Sequence, residues 1–245
     1  MLRYKCVVEY DGTNFVGWQR QLNGRSVQQA IEESLKKYLN TSIVITGAGR
    51  TDAGVHATGQ VFHFDIDKEL RNEEIKDALN FHLKDELISI LDASKVDNNF
   101  DARRSAKKRT YKYSILNRDS PPSIFKNKAW YIKKKLNENS MKDALTVLIG
   151  TFDFSTFRSA SCGATSPIRT IDNILMYQNG EMIDFKFISQ SFLQQQVRSM
   201  MGCIKYVGEE KWNKEKLKMV LESKNRSNCA PPAPSHGLYL EKVEY

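Results

Sequence analysis

The order of strand-like and helix-like patterns is the feature that most constrains the fold of this chain. In the first half, apolar residues alternate in strands and recur at helical spacing between them. The predicted elements are strands over 4–10, 43–46, 60–66 and 87–96, a helix over 27–39 and a second helix capped by Asn72. The resulting order, β-α-β-β-α-β, is that of the ferredoxin-like unit.

Local residues specify one strand face and one helix start in this half. The side chains predicted to share the buried face of the first strand are Tyr4, Cys6, Val8 and Tyr10. Ser26 and Gln29 have the spacing of a capping box, which predicts that the first helix begins at residue 27.

The second half repeats this order loosely. The predicted elements are strands over 109–116, 129–132, 168–177, 182–188 and 238–243, helices capped by Ser140 and by Ser191 with Gln194, and a short helix over 214–223. Asn179-Gly180 predicts a tight hairpin between two of the strands. We therefore expect an α+β protein with two α/β halves, an N-terminal half over 1–105 and a C-terminal half over 106–245.

The charge of the chain favours a polyanionic partner. The chain has 245 residues, a length that accommodates two domains of about 120 residues each. Lys and Arg number 37 and Asp and Glu 29, so the net charge is +8. Residues 103–112 carry six basic groups and no acidic one. This concentration favours nucleic acid, and solubility alone is the alternative.

Several classes of protein do not fit the sequence. No apolar run approaches the roughly 18 to 20 residues of a membrane span, and the first strand begins directly after the N-terminus without a leader pattern. The cysteines form no CxxC pair, which argues against a disulfide framework or a zinc site and fits a reducing cytoplasm; they are Cys6, Cys162, Cys203 and Cys229.

Residues 47–56, Gly-Ala-Gly-Arg-Thr-Asp-Ala-Gly-Val-His, are the most informative segment. No Lys-Ser or Lys-Thr follows the glycines, so the segment is not a phosphate loop, and Asp52 stands where a dinucleotide fingerprint needs its third glycine. Three glycines allow a ligand to approach the backbone closely. A pair between Arg50 and Asp52 would hold the carboxylate in its charged form, ready to act as nucleophile or base. A tight turn with a structural ion pair is the alternative.

The motifs along the chain resemble those of the tRNA pseudouridine synthase A (TruA) family almost from end to end. The matching segments are Tyr10 to Phe15 with Gly17 to Gln21, Gly47 to Ala57 with Gly59 to Val61, Phe100 to Arg103, Ser105 to Lys107, Arg109 to Tyr111, Ser166 to Ile171, Phe192-Leu193 with Val197-Arg198, and Ala233-Pro234 with Gly237 to Leu240. Together, in this order and at this chain length, they are highly specific.

The resemblance implies an enzyme and its substrate. It implies an isomerase that converts uridine to pseudouridine at nucleotides 38, 39 and 40 of the tRNA anticodon arm. It implies the pseudouridine synthase fold, in which two ferredoxin-like (RRM-like) halves with mainly antiparallel sheets flank a central active-site cleft. It also implies a cytoplasmic homodimer that uses no metal and no cofactor. Nothing is oxidised or hydrolysed in this reaction, which agrees with the missing nucleotide loop.

The resemblance also assigns roles to individual residues. The catalytic residues would be Asp52 as nucleophile, Tyr111 and Arg198, and the residues that bind the RNA would be Arg50, Lys107, Arg109 and again Tyr111. Attack on the sugar, attack on the base and removal of a sugar proton are the alternatives for the action of Asp52. A tyrosine in a strand core and an arginine that extends along the surface are the alternatives for Tyr111 and Arg198.

Some positions depart from the family pattern. Gln194, Gln195 and Gln196 stand where an aromatic or His and then His-Met are common, and the other departures are Lys84, Arg104 and Phe152. The glutamines leave the local contacts with substrate open. A non-catalytic RNA-binding module and a nucleotide-dependent enzyme are the alternative functions; the intact Asp52 argues against the first and the failed phosphate-loop pattern against the second.

Overall fold

The computed structural model describes all residues from Met1 to Tyr245 and has a mixed α/β architecture with mainly antiparallel strand pairing. The chain forms two compact units, residues 1–107 with 239–245, and residues 108–238. None of its helices combines the length and the apolar character needed to cross a membrane.

The first unit contains a sheet and two helices. Its elements are β1 (Leu2–Tyr10), α1 (Val27–Leu39), β2 (Thr46–Gly47), β3 (His56–Ile66), α2 (Asn72–Leu83), β4 (Ile88–Val96) and, at the end of the chain, β10 (Leu238–Glu244), which enters this unit at Tyr239. β1 lies between β4 and β3 and is antiparallel to both. The other edge of β3 pairs with β2 in antiparallel and with β10 in parallel orientation.

The core of the first unit follows from the local patterns. The predicted face of β1 is buried as expected, with each of its four side chains at most 4% exposed. The Ser26 side chain accepts a hydrogen bond from the Gln29 backbone N–H and begins α1 at Val27, which confirms the predicted cap. The Ser34 hydroxyl donates to the Leu79 carbonyl and joins α1 to α2.

The second unit contains five strands and three helices. Its elements are β5 (Lys108–Asn117), β6 (Trp130–Ile132), α3 (Glu138–Leu145), β7 (Gly150–Asp153), β8 (Ile168–Asn179), β9 (Met182–Ser189), α4 (Gln196–Gly208) and α5 (Lys214–Glu222). The strand order is β6-β5-β9-β8-β7, and only the β6–β5 pair is parallel.

Three predicted helix caps are wrong. Asn72 lies inside α2, and its side chain instead accepts a hydrogen bond from the Lys95 backbone N–H. Asn137, rather than Ser140, caps α3. α4 begins after Gln195, four residues later than Ser191 predicts. Of these three helices, only α3 has a side-chain cap, because Arg71 and Gln195, which precede α2 and α4, make no side-chain cap hydrogen bond.

Three strand predictions also differ from the structure. The strand predicted over 43–46 is reduced to β2, which spans Thr46–Gly47. β8 continues through Asn179, so the predicted hairpin is present but its turn consists of Gly180 and Glu181, with Gly180 at a φ of +59°. The last strand was predicted within the second half, whereas β10 pairs with β3 and its residues from Tyr239 belong to the first unit. Parallel pairing between strands so far apart in sequence has no local signature.

Candidate functional site

Asp52 lies in the loop between β2 and β3, and its backbone is held from both sides. It forms an isolated antiparallel bridge with Gly17. The Trp18 N–H donates to the Thr51 carbonyl at 3.1 Å, and the Val55 N–H donates to the Asp52 carbonyl at 3.1 Å. The Asp52 side chain is half-buried. The position of the loop is therefore fixed by contacts within the protein.

Two glycines of the 10–21 segment allow this close approach. Gly17 has a φ of +116°, and a Cβ atom there would lie 2.6 Å from the Thr51 carbonyl oxygen. A Cβ atom on Gly12 would lie 2.0 Å from the Val55 carbonyl oxygen. Both obstacles are backbone atoms, so larger residues would displace the Asp52 loop itself.

Aromatic residues of the same segment fill the space behind the loop. The hydroxyls of Tyr10 and Thr51 are hydrogen-bonded at 2.8 Å, and both residues are buried. The indole of Trp18 packs against Gly47. A Cβ atom on Gly47 would lie 2.5 Å from the Trp18 Nε1. The 10–21 motif thus supports the loop that carries Asp52.

His56 ends the loop and has a structural role in this arrangement. Its ring is buried and stacks on Tyr239 with the centroids 4.7 Å apart. Its Nδ1 accepts a hydrogen bond from the Gly12 N–H at 3.0 Å. The ring therefore links the loop to the segment that supports it.

Arg50 does not form the ion pair with Asp52 that the sequence suggested. Its side chain is exposed, and the salt bridges of the structure do not include it. An exposed pair would add little stability, because solvent screens the charges and holding two side chains costs entropy. The half-buried carboxylate of Asp52 and the exposed guanidinium of Arg50 therefore lie in different environments.

A tight turn presents the basic residues that precede β5. The Asp101 carboxylate accepts hydrogen bonds from the backbone N–H groups of Arg103 and Arg104, both at 2.8 Å. Burial acts to raise the pKa of Asp101, but these hydrogen bonds from Arg104 and Arg103 dominate, and the pKa is lowered. The side chains of Arg103, Arg104 and Lys107 are exposed. A charged Asp101 thus holds a turn whose outer surface is cationic.

In the second unit, Tyr111 lies on β5 and its ring is half-buried. Tyr111 is opposite Phe187 on β9, and its ring meets that of Phe192 edge to face with the centroids 5.2 Å apart. Arg109 shares the same face of β5, is buried, and donates to the Gln190 carbonyl. Arg109 is therefore more buried than a surface arginine that contacts only phosphate groups.

Arg198 projects from α4 and is fixed by the 229–237 segment. Its Nε donates to the Ala233 carbonyl at 2.8 Å, while the Ala233 N–H donates to the Arg198 carbonyl at 2.9 Å. Burial raises the pKa of Tyr113, and the charge of Arg198 opposes this shift, so Arg198 lies near Tyr113 on β5. Tyr113 is two residues from Tyr111 on the same strand face.

The three glutamines build the entry to α4. Gln195 has a φ of +62°, which is costly for a residue other than glycine. The Gln196 Oε1 accepts a hydrogen bond from the Leu193 N–H at 2.8 Å, but its Nε2 is buried without a partner. The Gln194 carbonyl accepts from the Ser159 N–H at 3.0 Å. These residues therefore position Phe192 and Arg198 through the backbone.

The predicted site residues fall in both units. Asp52, Arg50 and Lys107 belong to the first unit, and Tyr111, Arg109 and Arg198 belong to the second. Sequence reasoning missed the Tyr10–Thr51 hydroxyl pair, although both residues lie inside recognised motifs. It also missed the approach of Cys203 to Cys229, for which their spacing of 26 residues gives no signal. No group of three or more His, Cys, Asp and Glu residues is arranged to hold a metal ion.

Comparisons with known proteins identify close relatives. A family described as tRNA pseudouridine synthase matches residues 6–103 and 144–245. A protein named tRNA pseudouridine synthase A from Pelagibacter ubique is 50% identical over 246 residues, which cover 100% of both chains. Proteins of the same name from Sinorhizobium fredii and Parvibaculum lavamentivorans are 47% and 45% identical, again over 100% of both chains.

Proposed function

Because this chain belongs to the tRNA pseudouridine synthase family, we propose that it isomerises uridine to pseudouridine at nucleotides 38, 39 and 40 in the anticodon stem-loop of tRNA. The observation that carries the proposal is the Asp52 loop, whose backbone is held by contacts within the protein. Its sequence matches the family motif, and its backbone is held by contacts from the 10–21 segment. A carboxylate fixed in this way is suited to act on a bound nucleotide without first reorganising.

The reaction needs little beyond positioned side chains. The bond from N1 to the sugar carbon C1′ breaks, the base turns, and a bond from C5 to C1′ forms. C5 then loses its proton and N1 gains one, so the atoms balance. Substrate and product are isomers, so no electron donor, acceptor or hydrolytic water is consumed. We propose that Asp52 is the nucleophile, and that the enzyme works without a cofactor or metal.

The remaining site residues would hold the RNA and the extruded base. Tyr111 offers a half-buried ring whose orientation is set by Phe192, which suits contact with a base. Arg198 supplies a cation held by the Ala233 carbonyl. Arg50 and Lys107 are exposed and suit phosphate contacts. Arg109, which lies on β5, would also bind the RNA. Extrusion costs a few kcal/mol of unstacking, which such contacts offset.

We further propose the finer architecture of the family. An N-terminal ferredoxin-like half, 1–105, would carry the catalytic loop, and a C-terminal half, 106–245, would complete a central cleft for tRNA, except that the residues of β10 from Tyr239 group with the first half. The pairing of β1 with β3 and β4, and the helices between them, support the first half. The resemblance supports a homodimer that acts in the cytoplasm.

Replacing Asp52 by Asn tests the proposal. The amide keeps the size and most hydrogen bonding of the side chain but removes its charge. We expect pseudouridine formation at the anticodon arm to fall by at least about a thousandfold, equivalent to ~4 kcal/mol of barrier, with tRNA affinity nearly unchanged. Asp67, an exposed carboxylate of the same unit, provides the matched control as Asp67→Asn.

The outcomes separate the alternatives. Activity of Asp52→Asn near that of the unaltered protein would exclude Asp52 as the nucleophile. Unaltered protein that binds tRNA but forms no pseudouridine would favour a binding module. Mapping pseudouridine in tRNA from cells that lack the gene, with and without complementation, would identify the nucleotides modified.

A further inference from the structure

Two cysteines that are distant in sequence have their sulfur atoms in contact in the second unit. Cys203 lies on α4 and is buried, whereas Cys229 lies in the segment that follows α5 and is half-exposed. Their Sγ atoms are 3.5 Å apart, and both are free thiols. The partly exposed Cys229 therefore has the buried Cys203 as its immediate neighbour.

The surroundings favour a reactive Cys229. A hydrogen bond with Cys203 lowers the pKa of the Cys229 thiol, and the nearby Arg226 guanidinium adds to this effect against the cost of burial. The same hydrogen bond and burial raise the pKa of Cys203. Arg226 is itself held by the Ser199 hydroxyl at 3.1 Å. A thiol with a lowered pKa in contact with a second thiol is the arrangement that redox-sensitive cysteine pairs use.

We propose that Cys203 and Cys229 form a peroxide-sensitive dithiol site. The Cys229 thiolate attacks one oxygen of hydrogen peroxide, so that an S–O bond forms, the O–O bond breaks and hydroxide leaves. The Cys203 sulfur, losing its proton, then attacks the sulfenic sulfur, so that the S–S bond forms and hydroxide leaves again. Two thiols are oxidised to one disulfide, and one peroxide is reduced to two waters. A thiol reductant reverses the change.

Oxidation at this site would act on the segment that holds Arg198. A disulfide requires the sulfurs to approach to about 2.05 Å, roughly 1.5 Å closer than they are now. The chain after Cys229 packs closely on α4, since a Cβ on Gly202 would lie 2.0 Å from the Pro231 carbonyl oxygen. Ala233, which accepts the hydrogen bond from Arg198, lies in the same segment. We expect the disulfide to displace this contact and to lower kcat about tenfold, a consequence that rests on the proposed function.

Thiol mapping tests the site independently of activity. Reduced protein is treated with a small excess of hydrogen peroxide, the free thiols are alkylated, and the peptides are identified by mass spectrometry. We expect a linked Cys203–Cys229 peptide pair, lighter by two hydrogen atoms and separated again by dithiothreitol. The Cys162→Ala control should form the same link, and Cys229→Ala should keep Cys203 free. Cys203 and Cys229 that both remain alkylatable, or a Cys229 sulfinic acid beside a free Cys203, would overturn the proposal.

Activity before and after oxidation tests the link to Arg198. A disulfide that forms without lowering kcat would overturn that link and leave the proposed function intact. A reduced protein with no synthase activity would instead contradict the proposed function, while the thiol map would still decide whether the dithiol site exists.

Discussion

The Asp52 loop and the entry to α4 each position a proposed site residue, Asp52 and Arg198, but they do so in opposite ways. At the Asp52 loop, the unusual backbone geometry falls on glycines, and the buried hydroxyls of Tyr10 and Thr51 are paired. At the entry to α4, Gln195 adopts a positive φ and the Gln196 amide nitrogen is buried without a partner. The backbone of the Asp52 loop is therefore unstrained and held in place, whereas the entry to α4 carries a local free-energy cost.

The difference indicates which part of the site tolerates change. A loop held by backbone contacts on both sides has few ways to move without breaking hydrogen bonds. A helix start held by a strained residue can gain stability through simple substitutions, at the risk of moving the side chains it positions. We therefore expect substitutions near Asp52 to destroy activity and substitutions near Arg198 to adjust it.

The largest effect should come from adding a methyl group beneath the Asp52 loop. Gly12→Ala would place its Cβ 2.0 Å from the Val55 carbonyl oxygen, so the loop must move. We expect unfolding free energy to fall by about 3 kcal/mol in urea titrations, with pseudouridine formation lost. Gly163→Ala is the matched control, because nothing lies within 4 Å of the added atom. Equal stability of the two variants would show that the loop is not held as described.

A smaller effect should follow from removing one hydroxyl behind the loop. Tyr10→Phe leaves the buried Thr51 hydroxyl without this partner, at a cost of about 1–2 kcal/mol in stability. We expect kcat to fall about tenfold with KM little changed, because the buried Thr51 hydroxyl lies next to the proposed nucleophile, Asp52, whereas the side chain of Arg50, proposed to bind RNA, is exposed. Tyr38→Phe removes a comparable hydroxyl, one that donates to Glu74 away from the loop, and should leave kcat unchanged. A change in KM alone would argue against a positioning role for Tyr10.

At the entry to α4 we expect the opposite sign. Gln195→Gly relieves the positive φ and should raise the unfolding free energy by about 0.5–1 kcal/mol. Asn40→Gly, at the left-handed C-cap of α1, relieves a smaller strain, because Asn tolerates this conformation better than Gln, and Asn40 is not a proposed site residue. Both variants should be more stable in urea titrations, but only Gln195→Gly should alter synthase kinetics. Loss of stability at Gln195 would mean that its side chain, and not its backbone, holds the helix start.

The smallest effect should appear on acidification of the first unit. Burial lowers the pKa of His63, and the nearby Arg3 charge adds to this shift. As the pH falls below about 6.5, the unfolded chain binds a proton before the folded one does, so stability declines with falling pH. The His63 Nδ1 accepts a hydrogen bond from the Ala102 N–H at 3.1 Å. As the pH falls from 7 to 5, hydrogen exchange at Ala102 should therefore accelerate more than exchange at the Asp52 loop, after correction for the intrinsic pH dependence of exchange. Equal changes in protection at the two places would contradict the role given to His63.

Much of the local structure could be predicted from short-range patterns. Alternation along β1 identified its buried face, and Ser26 identified the start of α1. Asn179-Gly180 placed a hairpin within one residue of its turn. These features depend on residues within a few positions of one another, so a single stretch of sequence contains their cause. The motif around Asp52 was recognisable for the same reason.

Other features depended on contacts that no short stretch contains. The helix caps of α2, α3 and α4 were misplaced because a polar residue near a helix start does not by itself identify the first helical residue, and α2 and α4 begin without a side-chain cap. The short strand β7 carries too few residues for a periodic pattern. The predicted ion pair between Arg50 and Asp52 depends on the direction in which the loop points each side chain. The residue types alone do not predict this direction.

The sequence by itself determined the order of most elements, the buried face of the first strand and the family to which the chain belongs. The tertiary structure decided how Tyr10 and Gly17 hold the Asp52 loop, how Ala233 fixes Arg198, why β10 joins the first unit, and that Cys203 meets Cys229. The physical reason is one of range. Periodicity and capping are properties of neighbouring residues, whereas these contacts exist only after distant segments have packed and competed for the same space.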